Sequence, residues 1–389
     1  MKNFFVRKSI YFLLLPLIVW SCKPQKTPSA EKKSESRKVK KEKQLRSSAD
    51  SLDFKIGQMI MIGILDRTSL KPDDSFLEDI RQERIGGIIL FEKNIQKTNS
   101  KEALKKLIAD MQACAKIPLL VTVDEEGGKV HRLKEKYGFV KMPSAAYLGK
   151  TDNRDTTYFY ADNLAKLLAE LGFNLNYAPS VDLALNKENP IIAKVERSFS
   201  DDPAKVTEHA LTFIDAHHAN NVKTILKHFP GHGSSASDTH LGIADVTDSW
   251  KIIELMPYHD LIKDGACDAI MTAHIVNCHL DTACLPSTLS KTVITDVLRG
   301  LLGFDGVVFS DDMQMNAISK NYGLENAVKL AINAGVDIVL FGNNVNASDR
   351  LPPSELHGII KKLVLNKEIP IERINESYDR IMKLKKSME

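Results

Sequence analysis

A (β/α)₈ barrel is the fold class that this 389-residue sequence predicts, and three observations carry that prediction. Eight short apolar runs of strand length recur between residues 59 and 341. Amphipathic stretches of helical period alternate with them. Polar residues suited to chemistry collect just after the carboxyl ends of the apolar runs, where parallel barrels place their sites.

The strand candidates, in order, are 59–65, 87–91, 119–123, 175–178, 222–226, 269–273, 306–309 and 337–341. Between them lie helical patterns such as 101–115, 157–171, 203–220, 248–263 and 323–334, and 372–388 reads as a final helix. This assignment leaves no second domain, so every catalytic part has to come from the barrel.

The first fifty residues are different in kind. Lys2, Arg7 and Lys8 precede an apolar run over 10–20, and Ser21-Cys22 follows it. That is a signal-peptide pattern, too short for a typical spanning helix. Val19-Trp20-Ser21-Cys22 resembles a bacterial lipobox, in which Cys22 becomes the lipidated first residue of the mature protein. Residues 23–46 carry ten basic and three acidic side chains with almost no apolar ones. Such a composition cannot bury a core and reads as a disordered tether over 22–50. The division expected is thus a signal peptide over 1–21, the tether, and the barrel over 51–389. The net charge of +3 leaves about −7 for the body once these leader charges are removed, so the basic pI describes the leader. Nothing in this balance points to nucleic acid.

Five cysteines are present. With Cys22 lipidated, Cys278 and Cys284 are spaced for a bridge in a loop, whereas Cys114 and Cys267 lie in or beside apolar helical patterns and read as small hydrophobes. No C-x-x-C pair suggests a zinc site, and no metal or organic cofactor is expected.

The most informative stretch is KHFPGHGSSASDTH at 227–240, which places five titratable side chains and three Gly or Pro breakers in fourteen residues. Lys227 and His228 are expected at the carboxyl end of the 222–226 strand. Pro230, Gly231 and Gly233 argue against a helix after it. Asp238 and His240 form an Asp-x-His pair, a spacing that lets a carboxylate orient an imidazole and raise its proton affinity. Taken alone, such a pair is also compatible with a solvated turn.

This loop resembles the signature of family 3 glycoside hydrolases, specifically the β-N-acetylglucosaminidase branch. Further matches follow in the family's order: VDEEGGKVHRL at 123–133, ERSFSDDP at 196–203, MTAHI at 271–275 and GFDGVVFSDDMQM at 303–315. The resemblance implies a (β/α)₈ barrel and a retaining glycosidase with no cofactor. It implies Asp311 as nucleophile and His240 as acid/base, with Asp238 as the partner of His240. Histidine titrates near neutrality, which suits a group that donates a proton in one step and accepts one in the next. Asp312 competes with Asp311, but strand alternation points the two apart, and Asp312 is read as a helix-start or supporting group. Asp124, Arg132, Arg197, Lys227 and His228 match the family's sugar-binding positions. Lys129 and His131 vary the pattern between matched positions and are read as altering the rim of the subsite. His274 is read as a supporting residue ahead of a ligand.

The function expected is an exported, lipid-anchored β-N-acetylglucosaminidase. It would remove terminal GlcNAc from an oligosaccharide or muropeptide through a covalent glycosyl-enzyme, its partners being that glycan and a membrane. Two alternatives stand beside it: a phosphorylase that passes the glycosyl group to phosphate, and a surface lipoprotein that binds glycan without cleaving it.

Overall fold

The computed structural model describes residues 51–239 and 242–388. The expected signal peptide, Cys22, the tether and His240 lie outside the described residues, apart from the tether's neighbour Ser51 onward.

In chain order the strands are β1 (Ile60–Gly63), β2 (Gly87–Leu90), β3 (Leu120–Val123), β4 (Leu175–Asn176), β5 (Lys223–Phe229), β6 (Ala244–Asp245), β7 (Ala269–Thr272), β8 (Ile275–Val276), β9 (Val307–Asp312) and β10 (Ile338–Phe341). All but β6 and β8 form a closed barrel, β10 pairing back onto β1 with Ile60 opposite Val339. Every barrel pairing is parallel. β6 and β8 make a small separate parallel pair. The eight-stranded barrel expected from the apolar runs is therefore the fold observed.

The strands are continuous apolar runs because both of their faces are covered. Every residue of β1, β2, β3, β7 and β10 is buried, as befits a parallel strand between barrel interior and outer helices. The helix Arg154–Leu171 shows how the outer layer is specified. Asn153 caps it by accepting from the Thr156 amide, Ala161, Leu164, Ala165, Leu168 and Leu171 form its buried stripe, and Gly172 ends it at φ 96°. Each buried leucine in such a stripe stabilises by about 1.5–3 kcal/mol. Below the site the barrel is filled: the Tyr177 hydroxyl meets Met61 Sδ at 2.7 Å, and its ring stands edge-on to Phe309 at 5.9 Å.

At the opposite end, Asp337 ties the last helix, Ile371–Lys386, to the barrel. This fully buried carboxylate accepts from Arg373 at 2.6 Å, Arg299 at 2.7 Å, Ser377 at 2.8 Å and the Val308 amide at 3.0 Å.

Two expectations are corrected. β5 runs on through Lys227, His228 and Phe229, which therefore belong to the strand. The cause is continued pairing, since Val181 N donates to Lys227 O and Ala273 N to Phe229 O. The helical pattern at 248–263 is regular only over Met256–Lys263, where Pro257 sits in the first turn; a short 3₁₀ turn, Ile252–Leu255, precedes it. Cys278 and Cys284 are joined in a disulfide, and Cys114 and Cys267 are unbridged and partly buried against the core. Among the described residues no helix is long and apolar enough to cross a membrane.

Candidate active site

A cavity of about 380 Å³ opens at the carboxyl ends of the strands, within the range of small-ligand clefts. Asp124, Arg132, Arg197, Lys227, His228 and Asp311 all line it, with His232, Thr239 and Asp312 beside them. Asp238 is half-buried, one residue before Thr239. Parallel closure brings these positions together from segments nearly two hundred residues apart.

Asp124 is the first residue after β3, and Arg132 lies on the hairpin that follows. Gly127, at φ 94°, makes the turn where a Cβ would stand 2.2 Å from the Pro143 carbonyl oxygen. Glu125 holds the hairpin closed. Its carboxylate pairs with His131 Nδ1 and accepts from the Arg132 and Leu133 amides, each at 3.0 Å. His131 is thus buried beneath the loop and does not form the rim of the subsite, which corrects the reading of that position. Lys129 donates to the Lys194 carbonyl at 3.0 Å.

The cavity cations are held by carboxylates. Lys227, 1% exposed, places its ammonium 2.8 Å from Asp124 and 2.6 Å from Glu126. Glu126 also takes Arg197 in a two-pronged contact, Nε at 2.8 Å and Nη2 at 2.7 Å. Burial pushes the Glu126 carboxyl up, but Arg197 and Lys227 outweigh it and bring it down to about 2. Asp124 is likewise held below the usual carboxylate range, burial being overcome by Lys227 and Arg132. Arg132 reaches Asp124 only at 3.4 Å, and its buried Nε has no partner among the described residues. It is the guanidinium with donors to spare for a ligand.

His228 is engaged on both ring nitrogens. Nδ1 donates to Asp182 at 2.7 Å, which leaves Nε2 to accept from Arg197 Nη2 at 3.0 Å. In this arrangement the ring steadies Arg197 and presents no free nitrogen to a sugar hydroxyl. Asp182, fully buried, also accepts from the His232 amide at 2.7 Å. Burial raises its pKa, yet His228 and His232 bring it well below the usual range. Neither ring nitrogen of His232 has a partner among the described residues, and burial lowers it to about 4, so the ring is neutral at pH 7.

Asp311 and Asp312 end β9. The Asp311 carboxylate accepts from the Asp312 amide at 2.7 Å, which fixes its orientation from below. Asp312 accepts from the Gln314 amide at 3.0 Å and the Gly342 amide at 3.2 Å, tying β9 to β10. It does not start a helix, because the next one begins only at Asn316. His274 is fully buried between Thr288 Oγ1 at 2.8 Å and the Asp312 carbonyl at 3.0 Å, a supporting position outside the cavity wall.

Sequence reasoning missed Glu126, Asp182 and Glu254. Glu126 stood inside a quoted motif, whereas Asp182 and Glu254 carry no local signal. Glu254 is buried, accepting from the Gly233 amide at 2.9 Å and Ser234 Oγ at 2.5 Å; burial pushes it up to about 7 against the opposing Ser234 bond. Among the described residues no cluster of three or more His, Cys, Asp or Glu is arranged to hold a metal ion.

Comparison with known proteins bears on this constellation. The family described as glycosyl hydrolase family 3 N terminal domain matches residues 51–384. The chain belongs to glycosyl hydrolase family 3. A β-hexosaminidase of Tolumonas auensis is 37% identical over 287 residues, covering 72% of this chain and 82% of that protein. Among solved structures of family 3 enzymes, a β-N-acetylglucosaminidase from Paenibacillus sp. str. FPU-7 superposes with a TM-score of 0.79 at 33% identity, over 87% of this chain and 62% of the other. A β-N-acetylhexosaminidase from Beutenbergia cavernae gives 0.75 at 27% identity, over 86% of this chain and 98% of the other. The chain spans 56% of the length of β-hexosaminidase A from Pseudoalteromonas piscicida, another relative at 33% identity.

Proposed function

We propose that this β-hexosaminidase-type glycoside hydrolase removes terminal, non-reducing β-linked GlcNAc with retention of configuration. The observation that carries the reading is one cavity in which an oriented carboxylate, Asp311, faces the charge-paired set Asp124, Lys227, Arg197 and Arg132. Asp311 attacks the anomeric carbon and forms a covalent glycosyl-enzyme as the leaving oxygen departs. His240, oriented by Asp238, protonates that oxygen and then takes a proton from the incoming water. Asp124 accepts sugar hydroxyls. Arg132 and the remaining N–H bond of Lys227 donate to them and fix the ring, while the bonds accepted by the Asp124 carboxylate strengthen as positive charge develops in the oxocarbenium-like transition state.

The substrate class is a GlcNAc-containing oligosaccharide or muropeptide. The destination is the cell envelope, through a lipid on Cys22; the signal-like leader and the Cys278–Cys284 disulfide, a bond at home in oxidising compartments, support it. The test is hydrolysis of 4-nitrophenyl β-N-acetylglucosaminide beside the β-glucoside, with the Asp311→Ala variant. Release from the GlcNAc compound alone, reduced at least about 10³-fold in the variant, is expected. Silence on both sugars from folded protein would point to glycan binding without cleavage.

A further inference from the structure

At its start the loop that carries Asp238 is fastened by a set of buried acceptors and donors, and Glu254 is central to them. Trp250 Nε1 donates to the Pro230 carbonyl at 3.2 Å, and Asn189 Nδ2 donates to the His232 carbonyl at 2.8 Å. Asp182 receives the His232 amide. Glu254 then grips the next two residues: Oε2 takes the Gly233 amide at 2.9 Å and Oε1 the Ser234 hydroxyl at 2.5 Å. The approach is close enough that a Cβ on Gly231, at φ 116°, would lie 2.6 Å from the Glu254 Cβ. From Ser235 the chain turns outward: Ala236 and Ser237 are exposed, and Asp238 follows.

Glu254 stands 1% exposed and is not among the residues lining the cavity. A buried carboxylate without a cationic partner among the described residues costs folding free energy, so a purely structural position would be better filled by an amide or an apolar side chain. Apart from a long contact of Oε1 with the Lys251 amide at 3.5 Å, both of its oxygens are aimed at the point from which the segment leading to Asp238 departs. We propose that Glu254 is a positioning residue for the acid/base apparatus. By fixing Gly233 and Ser234 it sets where Asp238 stands over the sugar, and it touches neither substrate nor reacting atoms. The inference rests on the proposed roles of Asp311 and of the Asp238–His240 pair.

The test separates the two chemical steps. With 2,4-dinitrophenyl β-N-acetylglucosaminide the leaving group departs without a proton, so forming the bond from C1 to the Asp311 carboxylate needs no acid. Breaking that bond by water does need a base. Azide needs none: it attacks C1, the Asp311 carboxylate leaves, and the product is the glycosyl azide. Deleting an acid/base group costs about 10²–10⁴-fold, and displacing one should cost less, on the order of 10- to 10²-fold.

The expected result for Glu254→Gln is therefore a kcat reduced by about 10- to 10²-fold with KM reduced in step, so that kcat/KM stays within about twofold. Azide should restore kcat and give glycosyl azide. Ser234→Ala, which removes one of the two bonds and leaves the buried carboxylate in place, should show the same signature at smaller size. A fall in kcat/KM equal to that in kcat, with no azide rescue in either variant, would overturn the proposal in favour of a structural role. His240→Ala, run in parallel, distinguishes the failures. If it is rescued and Glu254→Gln is not, only the positioning role falls; if neither is rescued, the acid/base assignment itself is wrong.

Discussion

Glu126→Gln is the perturbation with the most closely constrained outcome. The native carboxylate receives three charged donors: Arg197 through two nitrogens and Lys227 at 2.6 Å. A glutamine keeps the shape but turns one acceptor into a donor facing another donor, and leaves Arg197 without its carboxylate partner and Lys227 with Asp124 alone. Breaking a buried pair costs about 3–5 kcal/mol. An independent route gives a similar figure. Arg197 and Lys227 bring the carboxyl down to about 2 in the fold from its ordinary 4.5, and the difference corresponds to about 3 kcal/mol. Because the folded value is depressed, this contribution is complete above pH 4.5 and is lost as pH falls toward 2. Urea unfolding of both proteins at pH 7, 5 and 3 reads it directly. The variant should be less stable by about 3 kcal/mol at pH 7 and pH 5, with somewhat more than half of the gap closed at pH 3. Its kcat/KM should fall by about 10²-fold, as Arg197 and Lys227 lose their shared anchor. A gap below about 1 kcal/mol at pH 7, or one that is unchanged at pH 3, would refute the view that Glu126 is an ionised keystone.

Two other places in the fold give equally definite expectations. Asp337→Asn should cost about 3–5 kcal/mol by urea unfolding, because Arg299 and Arg373 lose a fully buried counterion; a loss under about 1 kcal/mol would mean that Ser377 and the Val308 amide alone hold the last helix. Cys278→Ser should lower stability by about 2 kcal/mol, the loop-closure value for a bridge across six residues, and the wild-type protein in reductant should match it. Equal stability of the wild type with and without reductant would show that the bridge contributes nothing.

The barrel was legible because its strands are apolar on both faces and short, so periodicity and length together separate them from the amphipathic helices. What periodicity could not give was the length of β5. Lys227 and His228 look like the start of a loop, yet their backbone stays paired with the neighbouring segments while their side chains turn into the cavity. The same limit applies at 248–255, where an apparently helical pattern is a hydrogen-bonded turn and then a short 3₁₀ turn, which deliver Trp250 and Glu254 to the loop.

Asp124, Lys227 and Asp311, all proposed to meet substrate, come from strand ends, which a sequence marks well. Their counter-charges come from wherever the barrel happens to bring a neighbouring loop. Glu126 follows β3 but serves Arg197, 71 residues later; Asp182 follows β4 but serves His228, 46 residues later. Both pairings depend on β3, β4 and β5 being adjacent in the barrel, a fact of closure and not of spacing. The arrangement has a chemical consequence. A neutral sugar offers no charge of its own to organise Lys227 and Arg197, so those cations have to be oriented before it arrives. Glu126 and Asp124 do this, spending part of each cation's field to hold it still. Cations fixed and neutralised in this way put little net positive charge beside the ring, where the proposed mechanism would build its own, and Arg132, the least encumbered of them, is left to adapt to the hydroxyls it meets.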